Sequence, residues 1–139
     1  MVQLYNASDR INPSYLPELP GFSWVTRASG LIFLGGLVGL EGASFEITDR
    51  TFEGQCRILF RNLEACLTEF GASHEDIVQM TGYIAPSTKD AADEIRIFME
   101  LRGELLPNLN AAGAIVPVPP FFLDGQLIEL QAIARDPNF

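Results

Sequence analysis

Apolar residues recur every three or four positions along residues 51–70, and charged residues occupy the opposite side of the helical projection. This spacing is typical of an amphipathic helix with one buried stripe, and Gly71 favours its termination. A second helix is predicted from Ser87, which resembles a capping box with Asp90, through about Leu106. The buried stripe predicted for this second helix consists of Ala91, Ile95, Phe98, Met99 and Leu105.

The other apolar runs are short and rich in β-branched residues, which is typical of strands. Runs at residues 22–28 and 31–35 flank Ser29-Gly30, a tight-turn signal that predicts a β-hairpin. Three later strands are predicted at residues 77–84, 112–118 and 126–134. The order is therefore β-β-α-β-α-β-β, which indicates an α+β domain with an open sheet and two helices on one face.

The remaining segments are predicted to be irregular. Residues 1–21 form an extended N-terminal segment, with a short strand at residues 2–6 and a proline-containing entry loop at residues 8–21. Residues 36–50 form a glycine-rich loop. No internal repeat or linker interrupts the sequence, so residues 1–139 are predicted to be a single domain.

One face of the predicted sheet has nothing to cover it. Nearly every side chain of residues 126–134 is apolar, which predicts burial of both faces of that strand. Because a chain of 139 residues supplies no third layer, we expect the uncovered face to pack against copies of the same chain in a closed oligomer. The alternative is a monomer with an unusually folded N-terminal segment.

The composition and net charge of the chain exclude some classes of binding partner. The chain is 47% apolar and carries a formal net charge of −9, the wrong sign for neutralising nucleic-acid phosphates, so a nucleic-acid partner is not expected. The longer of its charge-free runs, residues 105–123, contains four prolines and does not suit a membrane-spanning helix. The N-terminus lacks the basic-then-apolar pattern of a secretory signal, so a cytoplasmic location is expected.

The two cysteines are expected to be reduced thiols in the core. Cys56 and Cys66 are ten residues apart in one predicted helix. That spacing corresponds to about 15 Å along the helix axis, which is too far for a disulfide.

Several segments resemble the RidA/YjgF family of reactive-intermediate deaminases, which has long been mislabelled as an endoribonuclease and translation inhibitor. They are the hairpin Ala28-Ser-Gly-Leu-Ile-Phe-Leu-Gly-Gly-Leu-Val, the helix with Gln55 and Asn62-Leu63, the stretch His74-Glu-Asp-Ile-Val, and the closing Ile128-Glu-Leu-Gln-Ala-Ile-Ala. The closing strand is the most specific part, and the likeness runs from about Phe22 to Arg135.

This resemblance implies a chorismate-mutase-like α+β fold with a mixed sheet. It also implies a homotrimer, with the sheets lining a central barrel and small-molecule sites in three clefts between adjacent subunits. The best-known activity of the family is hydrolysis of enamines and imines, such as 2-aminoacrylate, to keto acids and ammonia. That reaction uses no cofactor.

Only some of the site residues that the family resemblance implies are present in this chain. The glutamate of the last strand is present as Glu129, whereas an aromatic hydroxyl is replaced by Phe22 and a serine or threonine by Gly35. The arginine that grips the substrate carboxylate falls on Ala114 if the last two strands are aligned without a gap, or on Asn110 if the loop at 117–122 is an insertion. No residue from 103 to 134 is an arginine.

Glu129 is the residue best suited to proton transfer. It is the only charge between Asp124 and Arg135, so desolvation is expected to disfavour its ionised form. Hydrolysis of an imine needs a positioned water and a group that manages the proton of that water. The alternative is that Glu129 accepts hydrogen bonds and holds the oligomer together.

A carboxylate anchor is harder to find. Asn110, backbone N–H groups near Gly35-Gly36, or Arg27 would each bind a carboxylate more weakly than the family arginine. Loss of the two hydroxyls and the arginine indicates a roomier and less polar cleft. Three aromatic residues are candidates to line it, or alternatively to pack at an interface: Trp24, Phe121 and Phe122.

No metal site is predicted. His74 is the only histidine, sits beside Glu75 and Asp76, and is assigned no role beyond capping or exposure. The cysteines lack the spacing of paired ligands, and the glycines at 35, 36 and 39 do not form a nucleotide-binding fingerprint.

The sequence therefore favours a hydrolytic deaminase of enamines or imines that are bulkier or less acidic than 2-aminoacrylate. A non-catalytic binder of a small metabolite and a pathway-specific hydrolase or isomerase are the alternatives.

Overall fold

The structure, a computed structural model, describes residues 9–87 and 91–139. In these residues a six-stranded sheet is accompanied by two α-helices. The strands are β1 (Arg10–Ile11), β2 (Val25–Ala28), β3 (Leu31–Leu37), β4 (Ile77–Ile84), β5 (Ala112–Pro117) and β6 (Ile128–Arg135), and the helices are α1 (Phe52–Thr68) and α2 (Ala92–Leu105). The strand predicted at residues 2–6 and Asp90 of the predicted capping box lie outside the described residues.

The sheet is mixed, with the strand order β1-β2-β3-β6-β4-β5. β4 and β5 are parallel, and the other neighbouring pairs are antiparallel. α1 packs against β3, β6 and α2. The α+β prediction, with a mixed sheet and two helices, is confirmed.

The strands at the hairpin differ from the prediction. β2 begins at Val25 because Asn12 takes the hydrogen bonds of the preceding segment: its amide donates to the carbonyl of Phe22, and its oxygen accepts from the backbone N–H of Trp24. β3 continues to Leu37, two residues beyond its predicted end. β1 lies within the segment predicted to be extended loop.

α1 has the predicted buried stripe, whereas the stripe predicted for α2 is only partly confirmed: Phe98 is buried, and Ile95 and Leu105 pack against the core. Thr51 caps α1 by accepting a hydrogen bond from the N–H of Gly54, and the stripe of α1 is buried. In α2 the buried residues are Glu94, Phe98 and Leu101, and the predicted core residue Met99 is 44% exposed. The spacing of four and three between the buried residues defines the inner side of the helix, and Met99 lies outside it.

The start of α2 also differs. Ala91, not Ser87, is the N-terminal boundary residue of α2, and it makes no side-chain cap. The backbone N–H and hydroxyl of Ser87 instead donate to the Glu94 carboxylate, at 3.1 and 2.5 Å.

The outer face of the sheet carries both polar and apolar side chains. On β6 the inward residues are buried, but the outward ones include the polar residues Glu129 and Gln131 together with Ile133. In the single chain these outward residues are partly buried or exposed, so burial of both faces of this strand stays a prediction that depends on the oligomer. Exposed apolar side chains still occur there: Leu31, Phe33 and Val116 are 37 to 38% exposed in the single chain.

Candidate functional site

A β-bulge in β3 shapes the outer face. Leu34 and Leu37 are both buried, yet they pair with residues of β6 that are only two positions apart. β3 therefore contains one extra residue, and Gly35 and Gly36 occupy the bulge between two inward side chains. The bulge opens a space that ordinary side chains would fill.

The ring of Phe22 occupies the space beside Gly35. A methyl group on Gly35 would lie 3.3 Å from Cζ of Phe22. The backbone N–H of Gly35 donates to the carbonyl of Trp24 at 2.8 Å, and the Phe22 and Trp24 rings meet edge to face with centroids 4.9 Å apart. The structure thus brings together Phe22 and Gly35, the two positions where the family resemblance implies hydroxyl groups.

Glu129 lies against the second glycine of the bulge. A Cβ on Gly36 would be 2.8 Å from the carboxyl carbon of Glu129, so this placement of the carboxyl group requires glycine. Glu129 pairs with Tyr83 of β4 and is partly buried. Burial raises the pKa of Glu129, while a hydrogen bond with Gln126 opposes the rise. The direction expected from the apolar sequence around Glu129 is confirmed.

Uncharged polar groups extend from Glu129 along the outer face. The hydroxyl of Tyr83 donates to Oε1 of Gln131 at 2.9 Å, and the amide of Gln79 donates to the hydroxyl of Thr81 at 2.6 Å. Gln79 and Gln131 also line a groove of about 350 Å³ on this face, together with Ser23, Thr26 and apolar residues that include Phe33 and Ile133. Glu129 lies on the same face but outside the lining of this groove. The groove offers hydroxyls and amides for hydrogen bonding.

Sequence reasoning missed these polar residues. Gln79, Thr81 and Tyr83 alternate along β4, a period of two that marks one face of a strand. That alternation was a usable signal, because polar side chains at every second position define the outer face.

The two positions proposed for the family arginine lie away from Glu129 within this chain. Ala114 is exposed on β5 and pairs with Thr81, two residues along from the Tyr83–Glu129 pair. Asn110 is exposed and precedes β5. β5 begins two residues later, at Ala112, which pairs with Gln79 near the start of β4.

The three predicted aromatic lining residues are spread apart. Trp24 is buried in the core at 3% exposure, and its indole N–H donates to the carbonyl of Pro17 at 2.7 Å, which matches the packing alternative. Phe121 is partly buried in the β5–β6 loop, and Phe122 is 89% exposed. In this chain, Trp24 does not line the groove.

Arg27 is engaged elsewhere. Its guanidinium lies 2.7 Å from Oδ1 of Asp9 and 4.0 Å from Oδ2 of Asp136, and it stacks over the ring of Phe70. These contacts fix Arg27 beside β2, so it is not available as a carboxylate anchor.

The single histidine has a structural position. Nδ1 of His74 contacts the Glu64 carboxylate on α1, and Nε2 bonds to the carbonyl of Pro107 beyond α2. Burial lowers the pKa of His74, but the Pro107 carbonyl and the negative charges of Glu64 and Glu75 raise it more. His74 therefore links α1 to the segment that precedes β5.

The cysteines are free and buried, and burial raises the pKa of each thiol to about 12. Across the described ranges, no cluster of three His, Cys, Asp or Glu side chains is arranged to hold a metal ion. None of the helices found in those ranges has the length and apolar character that a membrane crossing needs.

Comparison with known proteins decides the family. Residues 16–135 match the model of the family described as Endoribonuclease L-PSP. The chain belongs to this family, the RidA/YjgF family.

Individual RidA/YjgF relatives are distant in sequence. A RutC family protein of Pyrococcus abyssi is 30% identical over 113 residues, which cover 81% of this chain and 84% of the relative. The RutC family protein YjgH of Escherichia coli is 28% identical over 122 residues, which cover 84% of each chain. The solved structure of RidA from the Antarctic bacterium Psychrobacter superposes with a TM-score of 0.78 at 21% identity, covering 91% of this chain and 98% of that one, and shows the same fold.

Two of the residues that carry the RidA/YjgF resemblance hold loops in place. The amide of Gln55 donates to the carbonyl of Gly125 at 2.8 Å, and its oxygen accepts from the N–H of Leu127 at 2.8 Å. The amide of Asn62 donates to the carbonyl of Leu40 at 2.8 Å. Gln55 thereby fixes the segment that leads directly into β6 and Glu129.

Proposed function

We propose that this RidA/YjgF protein is a hydrolytic deaminase that converts enamine and imine intermediates to carbonyl compounds and ammonia. The observation that carries the proposal is the Glu129 carboxyl group, held partly buried against Gly36 with its pKa raised by desolvation. A carboxyl group whose pKa is raised toward neutrality serves better as both acid and base.

In the proposed reaction, water adds to the carbon of the C=N bond while the Glu129 carboxylate accepts a proton from that water. The protonated Glu129 then donates the proton to the nitrogen of the carbinolamine. The Glu129 carboxylate next accepts the hydroxyl proton of the carbinolamine and passes it to the amino nitrogen, so that the C=O bond forms, the C–N bond breaks and ammonia leaves. The cycle consumes one water and returns Glu129 to its starting state, so it needs no cofactor.

The substrate we propose is bulkier or less acidic than 2-aminoacrylate. Phe22 places an apolar ring beside Gly35, and the groove on the same sheet face as Glu129 combines apolar side chains with uncharged hydroxyls and amides. Neither Ala114 nor Asn110 supplies a guanidinium that would select a small carboxylate.

We also propose that the working unit is a cytoplasmic homotrimer with clefts between subunits. Glu129 and the apolar residues Phe33 and Val116 share the outer sheet face, which the rest of the chain leaves partly exposed. Covering that face by copies of the chain would remove apolar surface from water and would desolvate Glu129 further.

The test is ammonia release from imines generated in place. An L-amino-acid oxidase acting on leucine or phenylalanine supplies bulky 2-imino acids, and a monoamine oxidase acting on benzylamine supplies an imine without a carboxylate. We expect the wild type to accelerate release above the protein-free rate and Glu129→Gln to lose about a hundredfold or more of that acceleration.

Two variants sharpen this test. Gly36→Ala keeps the carboxyl group but forces it to move, so it should lower the rate while leaving Glu129 titratable. Glu100→Gln, which removes an exposed carboxylate on α2, should match the wild type. Equal rates for the wild type and Glu129→Gln would remove Glu129 from the chemistry.

A non-catalytic binder of a small metabolite is the second candidate. The groove retains hydrogen-bonding groups, whereas Phe22 and Gly35 lack the hydroxyls that the family resemblance implies for turnover. Tight binding of a metabolite, with no acceleration of ammonia release from any of the three imines, would favour this function over the deaminase.

A further inference from the structure

A second cavity lies on the helix-covered side of the sheet. It measures about 290 Å³ and opens between α2 and the edge formed by β4 and β5. Its lining includes Met80, Gly82, Phe98, Arg102, Gly113 and Ile115. Gly82 and Gly113 lie on the adjacent strands β4 and β5, and as glycines they have no side chain to fill the cavity. Most of the other lining residues are apolar. The volume is close to the lower end of that of small-molecule pockets.

Arg102 brings a positive charge to this apolar cavity. Its neighbours three and four positions away on the helix are Phe98, Met99, Leu105 and Leu106, all of them apolar. The helix therefore offers Arg102 no carboxylate on its own side.

At least six of the seven other arginines of the chain form ion pairs. Each of the following places a guanidinium nitrogen within 4.0 Å of a carboxylate oxygen: Arg27, Arg50, Arg57, Arg61, Arg96 and Arg135. For Arg102 no such pair occurs within residues 9–87 and 91–139. The chain has eighteen acidic residues against nine basic ones, so potential partners are plentiful.

The Arg102 guanidinium and the mostly apolar lining together indicate which class of ligand fits this cavity. A guanidinium binds a carboxylate through two parallel hydrogen bonds. The apolar lining accommodates a compact aliphatic or aromatic group, and a single cation matches a single negative charge. We propose that this cavity is a binding site for a small monocarboxylate with a compact apolar body, with Arg102 bound to the carboxylate.

The lining of this cavity includes Ala114, one of the two positions considered for the family arginine, but does not include Glu129. Met80 and Phe98 belong to the core, whereas Glu129 lies on the outer face of the same sheet. Within one chain the sheet separates the two, so one small molecule cannot contact both. The proposed site therefore does not depend on the deaminase activity.

The experiment measures binding by calorimetry, with 4-methylpentanoate as the probe and 4-methylpentanamide as its uncharged counterpart. We expect the wild type to bind the acid at least about tenfold more tightly than the amide. Arg102→Gln should lose that preference, and Arg102→Lys, which keeps the charge without the planar fork, should fall between them. Arg96→Gln removes an exposed arginine from the same helix and should bind like the wild type.

Amide chemical-shift changes in a two-dimensional NMR spectrum locate the bound acid. We expect them at Gly82, Gly113 and Ile115. Gly82→Val, which adds bulk to the cavity beside Phe98, should abolish binding of both probes. Shifts confined to Phe33, Gly35 and Gln131, or equal losses in Glu129→Gln and Arg102→Gln, would place the ligand at the Glu129 groove and overturn the proposal. Equal affinity of the wild type for the acid and the amide, or no binding of the acid at millimolar concentration, would also overturn it.

Discussion

The position of the Glu129 carboxyl group depends on the lack of a side chain at Gly36. This group occupies the space above Gly36 that a Cβ would fill, and Tyr83 pairs with Glu129 from the neighbouring strand. Desolvation there raises the pKa of Glu129, which means that the folded state holds the ionised form less favourably than water does. A group kept in such a position costs stability, as is common at functional sites.

This cost predicts how Glu129→Gln changes stability with pH. Because the pKa of Glu129 is raised on folding, the folded state binds more protons than the unfolded state between the ordinary and the raised pKa. Wild-type stability therefore falls as pH rises through that interval. We expect Glu129→Gln to unfold at a higher temperature than the wild type at pH 8, with a smaller difference at pH 4.

Thermal unfolding of both proteins across this pH range is the measurement. Glu100→Gln, which removes an exposed carboxylate, serves as the control and should show little pH-dependent difference. A variant Glu129→Gln that is less stable than the wild type at pH 8 would mean that Glu129 is held by favourable hydrogen bonds, as the structural alternative requires.

Individual residues also show what can and cannot be predicted from the sequence. Glu129 was identifiable because it is an isolated charge in an apolar strand, and the direction of its pKa shift follows from that setting. The burial of Trp24 was not identifiable in this way. Its indole N–H donates to the carbonyl of Pro17, seven residues earlier in an irregular segment. No local pattern predicts such a contact.

At the level of elements, α1 does more than bury an apolar stripe. Gln55 is fully buried, and its side chain binds the carbonyl oxygens of Asp49 and Gly125 and the N–H of Leu127. These bonds join the start of α1 to the loop before β6. The element that carries Glu129 is therefore positioned by a helix more than sixty residues away in sequence.

Removal of the Gln55 amide should be costly. Gln55→Leu leaves one N–H and two carbonyl groups without these partners in a buried setting, and we expect a loss of about 2–4 kcal/mol in the free energy of unfolding. Urea denaturation measures it. Arg61→Leu introduces the same residue on the exposed side of α1 and should change stability by less than about 1 kcal/mol. Similar values for the two variants would contradict the role assigned to Gln55.

The helices differ in how well their sequences predict them. In α1 the apolar residues are regularly spaced and point to one layer, so periodicity alone identifies the buried stripe. In α2 the apolar residues also include Met99, which is exposed, while the carboxylate of Glu94 is buried and bonds to Ser87. Periodicity could not distinguish the side facing the core from the side bordering the second cavity.

At the scale of the whole molecule, the outer sheet face is the main surface that the helices of the single chain leave uncovered. Phe33, Val116 and Ile133 lie there beside polar residues, and the helices cover the opposite face. A face of this mixed character suits an interface with a buried apolar centre and polar clefts at its edges. We therefore expect copies of the chain to meet on this face.

Phe33→Lys tests that expectation. A lysine in the centre of the face would place charges close together in the assembly, so the mass measured by light scattering should fall from three chains of 15.3 kDa to one. Met99→Lys, at a comparably exposed residue on α2, should keep the assembly intact. Circular dichroism confirms folding of both variants. A wild-type protein that is already monomeric would contradict the trimer.

The sequence alone determined the order of the elements from β2 onward, the α+β class, the buried stripe of α1 and the candidacy of Glu129. These depend on periodicity and on the identity of nearby residues, which are local properties. Tertiary structure decided the β3 bulge, the contact of the Glu129 side chain with Gly36, the ion pairs of Arg27 and the cavity beside Arg102. Each of these depends on which distant segments meet and in what register, because packing selects among arrangements that share the same local pattern.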